Sequence, residues 1–92
     1  MRLKAQEKEK AMDKKRQEVL RHIGERIKVH RRELGYSREF VAEHLKITPR
    51  TLAAYERGER EMSMETAICI ARFYRTTLTK LTDYTTVINT LL

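Results

Sequence analysis

In 92 residues the chain has one cysteine, one proline, three glycines and no tryptophan. A lone Cys69 cannot close an internal disulfide, which suits a reducing compartment. No apolar run is long enough to cross a bilayer, and the charged N-terminus carries no signal-peptide pattern, so a cytoplasmic location is expected. Neither period-two alternation nor hairpin turn dipeptides occur, which removes a sheet, and internal repeats are missing too. No Ser–His–Asp, Cys–His, paired-carboxylate or glycine-rich phosphate constellation is present, so neither catalysis nor a cofactor is expected. His22 and His30 stand eight apart, and with His44 they find no acid or cysteine at metal-ligand spacing. They read as surface or boundary residues.

What the chain does have is charge. Lys and Arg number 20 against 13 Asp and Glu, a net +7, while apolar residues make up 40% of the sequence. An excess of this sign suits a polyanion, nucleic acid above all. Its distribution is uneven: residues 1–18 carry seven bases and four acids, residues 63–92 only three and two. The apolar last third and the charged first fifth therefore look toward different partners. Length allows one domain with a small core.

Residues 1–18 contain good helix formers and almost nothing to bury, so they read as a charged arm, helical in part or disordered. From Val19 the pattern changes. Val19, Leu20, Ile23, Ile27 and Leu34 recur at three-, four- and seven-residue steps, giving an amphipathic helix that ends at Gly35. Ser37 caps a short second helix with Phe40, Val41, Ala42 and Leu45 as its apolar face. Thr48 caps a third, with Pro49 in the first turn and Gly58 at the end. Ser63 opens a fourth, whose Met64, Ala67, Ile68, Ala71 and Tyr74 are read as a buried stripe. Thr77 opens a fifth, running through Leu81, Tyr84, Val87, Ile88 and Leu91. The reading is an all-α domain of five helices, with boundaries at 1–18 (arm), 19–82 (body) and 83–92 (C-terminal extension).

Only Lys46 and Ile47 separate the second helix from the third, so the two must cross steeply and pack closely. Ala42 supplies the small residue that such a crossing needs. In the third helix Leu52 and Tyr55 make the buried stripe, leaving Arg50, Ala53, Ala54 and Arg57 outward. A short basic helix held out from a scaffold fits the major groove of B-DNA. Its alanines allow close approach and meet thymine methyl groups, and the Arg50 fork can pair with guanine O6 and N7.

The stretches IGERIKVHRRELGYS, REFVAEHLKITPRTLAAYERGER and SMETAICIARFYRTTLTKL resemble the lambda-repressor-like, Xre-type helix-turn-helix family, over about Ile23 to Leu81. The resemblance implies a DNA-binding transcriptional regulator. It places Pro49, Arg50, Ala53 and Ala54 toward the bases, and Ser37, Arg38, Thr48, Arg57 and Arg60 toward the phosphates. It also implies an ion pair between Arg31 and Glu56 that fixes the third helix on the first. Three departures stand out: Lys46 where the turn commonly has glycine, Arg38 where glutamine commonly opens the second helix, and Met62 where proline often precedes the fourth. With no Gln or Asn on the reading face, part of the selectivity is left to DNA shape.

The partners expected are double-stranded DNA and a second copy of the chain. The first turn of this last helix is expected to pack inward and the remainder to meet the second copy, with Leu81, Tyr84, Val87, Ile88 and Leu91 assigned to the dimer contact, an apolar stripe larger than so small a core needs. Threonines at 82, 85, 86 and 90 make this segment a poor isolated helix, which argues for a partner surface. Repression follows from the family analogy, and with it association with the nucleoid. The rival reading is an antitoxin-like or adaptor protein that also binds DNA and holds another protein through its arm or tail. Cys69 is expected as a small buried or half-buried hydrophobe, and Tyr36, Tyr55 and Tyr74 as packing residues.

Overall fold

A computed structural model describes residues 5–91, with side chains from Asp13 onward, that of Tyr84 apart. Six helices and no strand occur among the described residues: α1 Ala5–Glu33, α2 Arg38–Leu45, α3 Pro49–Arg57, α4 Met64–Phe73, α5 Leu78–Thr82 and α6 Tyr84–Leu91. The expected all-helical architecture is therefore in place, with two changes at its ends. None of these helices is long and apolar enough to cross a membrane.

The first change is α1, which runs unbroken for 29 residues, a rise of ~43 Å. Residues 5–18 of the expected arm continue the same helix, and residues 1–4 lie outside the description. Nothing from Ala5 to Ile23 breaks a helix, since neither glycine nor proline intervenes. Arg16 also ties this segment down by pairing with Glu61.

The second change is at Asp83. The expected fifth helix is cut there, because Asp83 adopts the left-handed conformation at φ 52° and ends α5. Aspartate tolerates this conformation better than most residues because its short side chain can bond locally. Here it accepts from Thr86 Oγ1 at 2.7 Å while its carbonyl takes the Val87 amide. The chain then turns back, and α6 packs along α1.

The predicted caps are all made. Ser37, Thr48, Ser63 and Thr77 each accept a hydrogen bond from the amide three residues on. Lys46 ends α2 at φ 57°, doing what a glycine would do without strain.

The core gathers Ile27, Val41, Leu52, Ile70, Ala71, Tyr74 and Leu81, with Ile23, Tyr36, Leu45 and Met62 packed against it. Several expected core residues are outside. Leu34 is exposed because α1 ends one residue earlier. On α4 the stripe keeps Ala71 and Tyr74 buried and Ala67 half-buried, and gains buried Ile70 in place of Met64 and Ile68. That leaves Met64 71% and Ile68 48% exposed and turns Cys69 to solvent, correcting the buried position expected for it. Phe40 is also largely exposed. It joins Tyr36, His44 and Phe73 in an aromatic cluster with ring centroids 4.5–6.0 Å apart.

Candidate nucleic-acid interface

α3 is nine residues long and packs on both α1 and α2. Two neighbours demand more than one buried stripe, and Leu52, Ala53, Tyr55 and Glu56 are all buried. Ala53 is thus interior rather than outward, a correction to the reading face. A helix wedged between two others needs a small residue on its flank, and this alanine supplies it. Outside the buried positions Pro49, Arg50 and Arg57 are exposed and Thr51 and Ala54 half-buried, with Arg50, Ala54 and Arg57 on one line at i, i+4 and i+7.

α3 is held against α1 by two devices. The first is charge. Arg31 on α1 donates from Nε to Glu56 Oε2 at 2.6 Å and from a terminal nitrogen to Oε1 at 3.2 Å, while its other arm donates to the Tyr36 carbonyl at 2.8 Å. A bidentate pair of this kind fixes orientation as well as distance. The Glu56 hydrogen bond raises the Arg31 pKa, with burial pulling the other way and the Glu56 charge adding to the rise. Arg31 is therefore charged at any ordinary pH. Tyr74 nearby has its hydroxyl pushed well above the usual phenol range, by burial first and by the Glu56 charge second.

The second device is the absence of side chains. A Cβ on Gly24 would lie 2.6 Å from the Glu56 carbonyl oxygen, so α1 and the end of α3 can touch only through a glycine. Gly58 does the same from the other side, since a Cβ there would lie 2.6 Å from the Arg21 amide nitrogen. Neither contact was legible in the residue pattern. The placement of Gly24 in the middle of an otherwise regular helix was the available signal, because glycine costs ~1 kcal/mol there and must be repaid by packing.

The residues expected at phosphates are spread around α3. Ser37 and Thr48 are exposed caps of α2 and α3, and Arg60 is exposed after α3. Arg57 is exposed with Glu59 Oε2 3.6 Å away. Arg38 is only half free: its Nε donates to Glu56 Oε1 at 2.8 Å, making Glu56 the acceptor for two arginines. Of the expected dimer residues, Leu81 is 1% exposed and belongs to the core, so it is unavailable to a partner. Val87 and Ile88 are half-buried and Leu91 is 42% exposed. The Tyr84 side chain lies outside the description.

The profile of the helix-turn-helix family matches residues 27–81, more than half of the chain, from the last turns of α1 into α5. The chain belongs to the lambda-repressor-like, Xre-type helix-turn-helix family. Neither a curated protein nor a solved structure matches it. The family is one of DNA-binding regulatory domains, and DNA-binding regulation in general is the role that membership supports for this chain.

Proposed function

We propose that this helix-turn-helix protein is a sequence-specific transcriptional repressor that binds a pseudo-palindromic operator as a homodimer. Each copy would place α3 in one major groove, the two about one helical turn, ~34 Å, apart. Arg50 reads guanine with its fork, Ala54 meets a thymine methyl, and Pro49 stands at the groove edge. Ser37, Thr48, Arg57, Arg60 and the free part of Arg38 bind phosphates and give a salt-sensitive affinity. Residues 19–82 form the reading body, while Val87, Ile88, Leu91 and Tyr84 of the 83–92 extension meet the second copy. Work at the nucleoid in the cytoplasm follows from this role.

The observation that carries this reading is the line of exposed Pro49, Arg50 and Arg57 with half-buried Ala54 between them, on a helix whose Leu52, Ala53, Tyr55 and Glu56 are buried in the domain. Such a line has no packing purpose, and its small central residue admits a groove floor. Selection of binding sites from random duplexes tests it. The expected product is an inverted repeat whose half-sites lie about 10 base pairs apart. A pool without enrichment, or a single unrepeated site, would overturn the reading.

An antitoxin-like role is supported by a different observation. Met64 and Leu91 stand exposed on one cleft of about 490 Å³ that Val19, Ile23 and Leu78 also line, an apolar surface suited to another protein. Co-purification of a second polypeptide under native expression would favour it, and a lone dimer would not.

A further inference from the structure

A cleft of about 540 Å³ opens between the C-terminal ends of α2 and α4, with Tyr36 from the preceding turn on one wall. Its size lies in the range of small-molecule sites, roughly 300–1,000 Å³. Lys46, Arg72, Arg75 and His44 line it, and no acid does. The two other large clefts both include Glu61 in their walls. None of the ion pairs among the described residues uses Lys46, Arg72 or Arg75.

The simplest account of bases at helix C-termini is compensation of the helix dipole. Each dipole end amounts to about half a negative charge, so two ends come to ~−1 against three fixed positive charges. Roughly two charges are left over. Two of the three bases, Lys46 and Arg75, sit in the left-handed region at φ 57°, where each closes the end of its helix. The charges are thereby gathered about one cleft rather than spaced along a helix face, as a peptide groove would need.

The other wall is aromatic. The His44 ring lies 5.0 Å from that of Phe73, and the Tyr36 ring lies 5.5 Å from Phe73. His44 Nδ1 is 2.9 Å from the Phe40 carbonyl oxygen, which can only accept, so Nδ1 carries the proton and the ring orientation is set. Ring surfaces beside guanidinium forks are the complement of a flat ring that bears a negative group.

We propose that this cleft binds a small planar aromatic anion, an aromatic carboxylate or a nucleoside monophosphate. The ring packs on Phe73, Tyr36 and His44, and Arg72 or Arg75 takes the anionic oxygens. Lys46 contacts the same ligand from the turn that precedes Thr48, the cap of α3. The site thus touches the segment that orients the DNA-reading helix, as an effector site would.

Cys69 is the sole cysteine, is exposed and lines this cleft, so it reports occupancy directly. The experiment is alkylation of the full chain by neutral iodoacetamide, without DNA and at constant ionic strength. Adenosine 5′-monophosphate and salicylate serve as probes, with adenosine, ribose 5-phosphate and an oligoglutamate as controls. At least one probe should slow the reaction by the factor 1 + [L]/Kd, ~ten-fold at about ten times its Kd. Adenosine and ribose 5-phosphate, each lacking one half of the ligand, should protect much less. Arg72→Gln or Arg75→Gly should abolish protection, according to which arginine holds the anion, and the glycine variant keeps the left-handed geometry, so its fold is retained. Protection by neither probe, protection undiminished in both variants, or equal protection by oligoglutamate would overturn the proposal, the last by assigning the cleft to an acidic peptide. Because DNA is absent, none of these outcomes bears on the reading of α3.

Discussion

Arg31 Nε lies 2.6 Å from Glu56 Oε2, joining the last turn of α1 to the last turn of α3 through side chains 8% and 1% exposed. Breaking a buried pair from one side costs more than the pair is worth, because the other charge stays behind. Glu56→Ala leaves Arg31 buried without its acceptor and also frees Arg38. Equilibrium urea unfolding should show a loss of ~3–5 kcal/mol. Arg38→Ala should lose ~1 kcal/mol or less, since Arg38 is 37% exposed and its partner keeps Arg31. Equal losses in the two variants would show that Glu56 depends on both arginines alike.

Close approach of backbones gives the second prediction. Gly24→Ala places a methyl 2.6 Å from the Glu56 carbonyl oxygen, and α1 cannot retreat without carrying α3 away from its position. The expected cost is about 3 kcal/mol, at the upper end for overpacking, with weaker DNA binding as α3 shifts. Gly35→Ala is the control. Its methyl meets nothing within 4 Å, but the backbone there has φ +73°, so the cost is conformational and should be ~1 kcal/mol. Thermal melts of the pair separate the two causes, and near-equal shifts would refute the contact argument.

The third prediction concerns α3. Arg50→Ala should relax preference at one base pair per half-site and cost ~1–3 kcal/mol of discrimination. Arg57→Ala should weaken all duplexes alike and lower the slope of log K against log salt by about 1. Titrations at several salt concentrations, on selected and scrambled duplexes, measure both. A base-specific effect from Arg57, or none from Arg50, would move the reading edge to another part of the line.

The helices and their caps could be read from the residue order because each cap is a local matter of one side chain and one amide three residues on. Ser37, Thr48, Ser63 and Thr77 needed no tertiary information. Arg31 and Glu56 were accessible through family resemblance alone, since nothing in spacing brings residues 25 apart together. Ala53 failed because a two-stripe helix looks the same in sequence as a one-stripe helix with small outward residues. Leu81 failed for the opposite reason: an apolar run does not say where the chain turns, and Asp83 turns it just after that leucine. On α4 Ala67, Ala71 and Tyr74 were read on the inner side, but the edge of the stripe was not, since Met64 and Ile68 extend the same helical period while the buried Ile70 stands beside it.

Tyrosine ionisation offers a fourth test. The Tyr74 hydroxyl is raised by burial and by the Glu56 charge, against a smaller lowering by Arg31. For an acid with a raised folded-state pKa, the neutral form is favoured in the fold. That contribution is complete below the unfolded value near ~10 and is lost as pH rises through the folded value. Absorbance titration at alkaline pH should therefore show Tyr74 among the last tyrosines to ionise. Tyr74→Phe should remove that late step and reduce the fall in stability above pH ~10. An unchanged late step would place the high-pKa phenol elsewhere.

The last prediction concerns the C-terminal helix. α6 carries no charged residue, whereas the chain as a whole is +7, so α6 is where two copies can approach with least repulsion. It is also folded back on α1 through half-buried Val87 and Ile88, so removing it uncovers apolar surface as well as deleting a contact. Deletion after Asp83 therefore cannot separate dimerisation from stability, whereas Leu91→Glu, at a side chain 42% exposed, can. Two copies of Leu91→Glu bring like charges together across a two-fold axis while each subunit keeps its core. If the proposed dimer forms, sedimentation should show the unaltered chain as a dimer and the variant shifted to monomer at the same concentration, with a stability within ~0.5 kcal/mol of the parent, as for other surface substitutions. A Leu91→Glu chain that still sediments as a dimer would place the symmetric contact outside α6.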